Sequence, residues 1–167
     1  GNYVNGNNVG AALYLQRTTS ASKITDCNFN NNINGRGVVY VDGTISIINS
    51  NFTNNVAKDT SNYNSGNCIY GGTIVVEACN FVNNSGVKPV IYTAAALTVS
   101  DSNFINNTND YASGLGGAIL STSSIKIIKS NFTNNGAGSG AAIYATGAVT
   151  ISDSNFTYNS ARSNGGV

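Results

Sequence analysis

The dipeptide Asn-Phe recurs at Asn28-Phe29, Asn51-Phe52, Asn80-Phe81, Asn103-Phe104, Asn131-Phe132 and Asn155-Phe156, and these six phenylalanines are all that the chain contains. The residue three beyond each one is asparagine: Asn32, Asn55, Asn84, Asn107, Asn135 and Asn159. Self-similarity at a period of roughly 20–30 residues constrains the fold strongly, because so short a unit cannot bury an apolar face alone and must stack on its neighbours.

Other positions keep the same register. Seven residues before each phenylalanine stand Ser22, Ile45, Ile74, Leu97, Ile125 and Val149, and five before stand Ile24, Ile47, Val76, Val99, Ile127 and Ile151. Two before stand small residues: Cys27, Ser50, Cys79, Ser102, Ser130 and Ser154. Large, large, small at alternate positions is the period of a strand with one buried face. A second short strand is expected earlier in each unit, at 11–14, 38–40, 67–70, 90–92, 117–120 and 141–144, with its central aliphatic turned into the core.

Units of 22–30 residues with two or three short strands and no helical period predict an all-β chain, a parallel β-helix of about six coils. Coils stack at about 4.8 Å, so like residues lie on like residues. Asparagine at every turn then becomes a ladder in which each amide donates to one neighbour and accepts from the other. The six ladder asparagines therefore read as structural.

Composition narrows the functions. Charged residues are 9% of the chain and net charge is +1, which leaves no electrostatic footprint for nucleic acid. No apolar run approaches the ~18 residues of a membrane span, so insertion by this segment is not expected. The chain has no histidine, so an ordinary Cys/His zinc site is not expected, and no other metal or cofactor is indicated. Cys27 and Cys79 share a register position two coils apart, roughly 9–10 Å by strand spacing and too far for a disulfide. Cys68 sits in another strand, and all three read as small buried apolar residues. Residues 1–167 are expected to be a single solenoid segment of a longer repeat array. Gly1 begins near the top of one repeat, 161–167 resembles the start of a seventh, and further coils would flank both ends.

Binding candidates come from two places. From each ladder asparagine to the next Tyr or Leu the spacings are 8, 15, 8, 13 and 9, so loops 56–66 and 108–116 are long and leave one corner two coils apart. They carry Lys58, Asp59, Tyr63, Asp110 and Tyr111, and insertions on one face of a solenoid often form its binding surface. Tyr14, Tyr40, Tyr70, Tyr92 and Tyr144 share a register position, filled by Leu120 in the fifth coil. Strand alternation points them outward as an exposed aromatic ridge suited to sugar rings or a partner. Five N-x-Ser/Thr sequons, at Asn51, Asn83, Asn106, Asn131 and Asn155, are candidates for glycosylation.

No catalytic constellation is expected. Asp26, Asp101 and Asp153 share the position three before phenylalanine, but Asn49, Ala78 and Lys129 hold it in the coils between. Asp101 and Asp153 would lie about 10 Å apart, at or past the upper end for a pair of inverting glycosidase carboxylates.

The pattern resembles the polymorphic membrane protein repeats of chlamydial autotransporters and, in its Asn/Thr-rich style, the adhesin-like surface proteins of methanogens. Their Phe-x-x-Asn motif is met at all six positions. Their Gly-Gly-Ala-Ile motif is literal only at Gly116-Gly117-Ala118-Ile119 and relaxed at Gly10-Ala11-Ala12-Leu13 and Gly140-Ala141-Ala142-Ile143. The resemblance implies a right-handed β-helix in a secreted, cell-surface adhesin. Its partner would be a glycan or protein on a host or partner cell. A passive stalk is the alternative, with a polysaccharide-degrading β-helix of tail-spike or lyase type behind it.

Overall fold

The computed structural model describes residues 12–16, 20–58, 60 and 65–165, and every strand pair within them is parallel. Three six-stranded sheets form the walls of a solenoid, each receiving one strand from every coil. The first, the tyrosine sheet, stacks Leu13–Leu15, Val39–Val41, Ile69–Gly71, Ile91–Thr93, Ile119–Ser121 and Ile143–Ala145. The aliphatic sheet stacks Ser22–Thr25, Ile45–Ile48, Ile74–Glu77, Leu97–Ser100, Ile125–Ile128 and Val149–Ser152. The phenylalanine sheet stacks Asn28–Asn30, Asn51–Thr53, Asn80–Val82, Asn103–Ile105, Asn131–Thr133 and Asn155–Thr157. Short pairings of Ile33–Asn34, Val56–Ala57 and Ser85–Gly86, and of Gly136–Ser139 with Ser160–Asn164, close the coils. Among the described residues no helix is long and apolar enough to cross a membrane.

The registers come out column by column as the sequence predicts. Tyr14, Tyr40, Tyr70, Tyr92, Leu120 and Tyr144 pair in succession, and so do Phe29, Phe52, Phe81, Phe104, Phe132 and Phe156. Phenylalanine ring centroids follow one another at 4.6–5.0 Å with interplanar angles of 14° or less. The rings repeat at the strand spacing, which keeps them in van der Waals contact along the axis.

Burial follows from stacking. Ile45, Ile47, Ile74, Val76, Leu97, Val99, Ile125 and Ile127 are at most 2% exposed, and each contributes about 1.5–3 kcal/mol of transfer free energy. Val149 and Ile151 stand in the same columns in the sixth coil and are 44% and 47% exposed. A residue in these columns is covered from both sides, by the coil before and the coil after.

One expectation is shifted. Strands of the tyrosine sheet start one to two residues later than the sequence predicts, at the aliphatic before each tyrosine position. In coils one, three and five the shift goes with a local convergence of donors. The N–H groups of Ala12 and Leu13 both bond Val38 O, those of Cys68 and Ile69 both bond Val90 O, and those of Ala118 and Ile119 both bond Ala142 O. Two successive donors on one acceptor break the ladder there and bend the chain.

Candidate functional site

The asparagines divide into columns with different tasks. In the inner column Asn32, Asn55, Asn84, Asn107 and Asn135 are buried, and each Nδ2 donates to the next coil's Oδ1 at 2.9–3.0 Å. The same Oδ1 also accepts the backbone N–H of the preceding asparagine. The second Nδ2 hydrogen reaches back to the previous phenylalanine carbonyl, as from Asn84 to Phe52 O at 2.9 Å. An amide matches this demand because it offers two donors and a twofold acceptor on one planar group. The ladder is structural, as the sequence implies.

The residues flanking each Asn-Phe strand have a separate reason to be Asn or Asp. Asp26, Asn49, Ala78, Asp101, Lys129 and Asp153 lie at φ 46–56°, and Asn31, Asn54, Asn83, Asn106, Asn134 and Tyr158 at φ 54–56°. Every coil therefore turns through a left-handed corner on both sides of the phenylalanine strand, a conformation that Asn and Asp tolerate best after glycine. The corner aspartates Asp26, Asp101 and Asp153 are all exposed. Among the described residues no three of His, Cys, Asp or Glu come together as metal ligands would.

A second, outer ladder runs along the asparagines before phenylalanine. Asn51 donates to Asn28, Asn80 to Asn51, Asn103 to Asn80, Asn131 to Asn103 and Asn155 to Asn131, at 2.8–3.1 Å. Three sequon asparagines, Asn51, Asn131 and Asn155, thus face outward with Nδ2 committed to a neighbour. Asn83 and Asn106 stand instead on exposed corners. The small-residue column is a third chain of bonds: the N–H groups of Cys27, Cys79, Ser102 and Ser130 are accepted by Ser50, Ser102, Ser130 and Ser154 Oγ. Cys79 Sγ takes the serine role toward the Ser50 N–H at 3.4 Å. All three cysteines are free; Cys68 and Cys79 are buried, Cys27 is half-buried, and burial pushes the Cys68 and Cys79 thiols above their ordinary pKa.

The tyrosine column points outward as alternation requires, but it is not an evenly exposed ridge. Tyr14 is 41% exposed, Tyr40, Tyr70 and Tyr144 are half-buried, and Tyr92 is only 4% exposed. Tyr14 meets Tyr40 tilted by 41° at 5.0 Å, and the rings then stack from Tyr40 through Tyr70 to Tyr92 at 4.5 and 5.6 Å. Burial raises the Tyr40 and Tyr92 phenol pKa values, and the neighbouring Tyr70 adds to the effect at Tyr40. Tyr92 is covered because segment 87–89 and loop 108–116 stand beside the column here. Together they form a cleft of about 300 Å³ lined by Thr60, Val87, Lys88, Pro89, Tyr92, Tyr111, Ser113, Gly114, Leu115, Leu120, Thr122, Tyr144 and Thr146.

Loop 108–116 is a fixed wall. Thr108 and Leu115 make parallel bridges to Gly136 and Ser139, the Tyr111 carbonyl accepts the Gly114 N–H at 2.7 Å, and Arg162 donates to Asp110 O at 3.3 Å. Asn109 is 3% exposed and its Nδ2 holds Leu115 O at 3.2 Å. The Gly116 root has φ +66°, and a Cβ there would lie 2.1 Å from Ile119 O, so both conformation and contact require glycine.

The expected site residues therefore separate. Tyr92, Tyr111 and Tyr144 meet at the cleft, with Thr60 as a contribution from loop 56–66. Lys58 and Asp110 are exposed and do not line it, and Tyr14, Tyr40 and Tyr70 lie along the column away from it. Asp59 and Tyr63 lie outside the described residues. Sequence reasoning missed Leu120, Thr122, Thr146 and the 87–89 segment. The one available signal was the break in the tyrosine column at Leu120.

A family profile described as Right handed beta helix region matches residues 11–167. Comparison with curated proteins and with solved structures gave no match.

Proposed function

The chain belongs to the right-handed β-helix family, and we propose that this segment is a non-enzymatic, extracellular, adhesin-like solenoid that holds a cell-surface glycan in the cleft beside its tyrosine column. The observation that carries the reading is the convergence of Tyr92, Leu120 and Tyr144 from the column with Tyr111 from the long loop. Aromatic walls with hydroxyls around them suit a ligand that is apolar on its faces and polar at its edges. The wall is held by backbone bridges, so little ordering entropy opposes binding. A repeat array of such units would multiply a weak contact by avidity.

A passive spacer is the second reading. It is favoured by the amide ladders and ring stack that run through all six coils and stiffen the rod. A glycan array probed with the purified chain and with the double variant Tyr111→Ala/Tyr144→Ser decides between them. Saturable binding that the double variant loses supports the adhesin; silence, or binding that survives in the variant, rejects this cleft as an attachment site.

A further inference from the structure

The cleft lies where one ring is missing from a continuous stack. Tyr92 rests one face on Tyr70 at 5.6 Å and 12°, while on its other side the register places Leu120 and then Tyr144. Among the described residues neither Tyr111 nor Tyr144 stacks on another ring. Tyr92 and Tyr144 are two coils apart, about 9.6 Å by strand spacing, which is two steps of a ring column that elsewhere advances by one ring per coil. Leucine fills the inner part of that gap and stops short of where a phenol ring would extend. The outer part is the cleft.

Resting on the glycan-binding reading, we propose that this slot takes a single neutral pyranose ring, seated over Leu120 between Tyr92 and Tyr144 in the place of the absent fifth tyrosine. The size suits one ring within the cleft: about 300 Å³ is the small end of ligand pockets. Pyranose C–H groups would meet the Tyr144 ring and the small part of Tyr92 that the lining leaves open, and ring hydroxyls would project toward Thr122, Thr146, Ser113 and Thr60 at the lining. Charge selects a neutral ligand. No carboxylate lines the cleft among the described residues, and its one cation, Lys88, is 5% exposed and engaged in an interaction of its own.

The test fills the gap from the protein side. Leu120→Tyr restores the residue that this column carries in every other coil, so the fold should persist while the slot closes. Wild type and Leu120→Tyr are titrated with neutral methyl pyranosides and, as a rival planar ligand, N-acetyltyrosinamide, with amide chemical shifts followed by NMR; both proteins are also run on the glycan array. Pyranoside-dependent shifts at Tyr92, Leu120 and Tyr144 in the wild type, with at least a roughly tenfold loss of affinity in Leu120→Tyr, are expected. Shifts with the tyrosine amide alone would overturn the sugar assignment in favour of an aromatic peptide side chain. Array binding that survives in Leu120→Tyr would overturn the slot while leaving the adhesin reading standing. A silent array for both proteins would remove the slot and the adhesin reading together.

Discussion

Truncating one interior rung of the inner ladder, Asn84→Ala, tests what holds the coils in register. Asn84 is fully buried; its Oδ1 accepts the Asn55 N–H at 3.0 Å and the Asn55 Nδ2–H at 2.9 Å. Its Nδ2 donates to Phe52 O at 2.9 Å and to Asn107 Oδ1 at 3.0 Å. Alanine removes these four bonds and keeps the backbone ones, the N–H bond to Asn107 Oδ1 and the carbonyl's bond from the Thr108 N–H. Two donors on Asn55 and one acceptor on Phe52 lose their partner inside the core. At about 1–3 kcal/mol per orphaned group, partly relieved by relaxation, the cost is about 3–6 kcal/mol. Asn159→Ala is the internal control: Asn159 is half-buried, so water can replace it as acceptor for Asn135, and about 0.5–1.5 kcal/mol is expected. Urea denaturation followed by circular dichroism gives the energies, and hydrogen exchange locates the lesion. Because solenoid stability is a sum of nearest-neighbour terms, coils two to four should exchange fastest in Asn84→Ala. A loss below about 1 kcal/mol, or one equal to that of Asn159→Ala, would refute the ladder as the source of register stability.

Three further outcomes follow from the corners, the loop root and the buried thiols. Ala78 holds a left-handed corner at φ 52° that Asp or Asn holds in most other coils, so Ala78→Gly should raise stability by about 0.5–1 kcal/mol, read as a higher urea midpoint. Gly116→Ala should dislodge loop 108–116 and abolish ligand shifts at Tyr111, while far-ultraviolet circular dichroism keeps its β-sheet signal. Burial raises the Cys68 and Cys79 thiol pKa values, so the folded chain keeps protons that the unfolded chain releases. Stability is therefore fully present at neutral pH and should fall above about pH 9, where unfolded thiols ionise. A Cys68→Ala/Cys79→Ser variant should flatten that alkaline decline, and thiol reagents should label half-buried Cys27 well before the other two.

Much of the fold was legible because stacking converts sequence period into spatial identity. In a parallel solenoid each residue lies on its counterpart one coil away, so repeated Phe, Asn and aliphatic positions can be read directly as columns. Phe81 between Phe52 and Phe104, and Asn84 between Asn55 and Asn107, needed no further information. The left-handed corners left a trace too, in the Asn and Asp flanking each strand, but that trace was confounded with the ladder asparagine beside it.

The sequence by itself determined the strands, their parallel register, the inner ladder and the outward phase of the tyrosines, since all follow from alternation and repetition. Tertiary structure alone decided that Tyr92 is covered while Tyr14 is open. It also decided that Lys58 stands apart from the cleft while Thr60 lines it, and that the missing ring at Leu120 coincides with the wall made by Tyr111. The physical reason is that a loop's path is set by its own turns and bridges, which no period encodes. A cleft assembled from positions 60, 87–92, 111–115, 120–122 and 144–146 exists only once those coils are laid side by side.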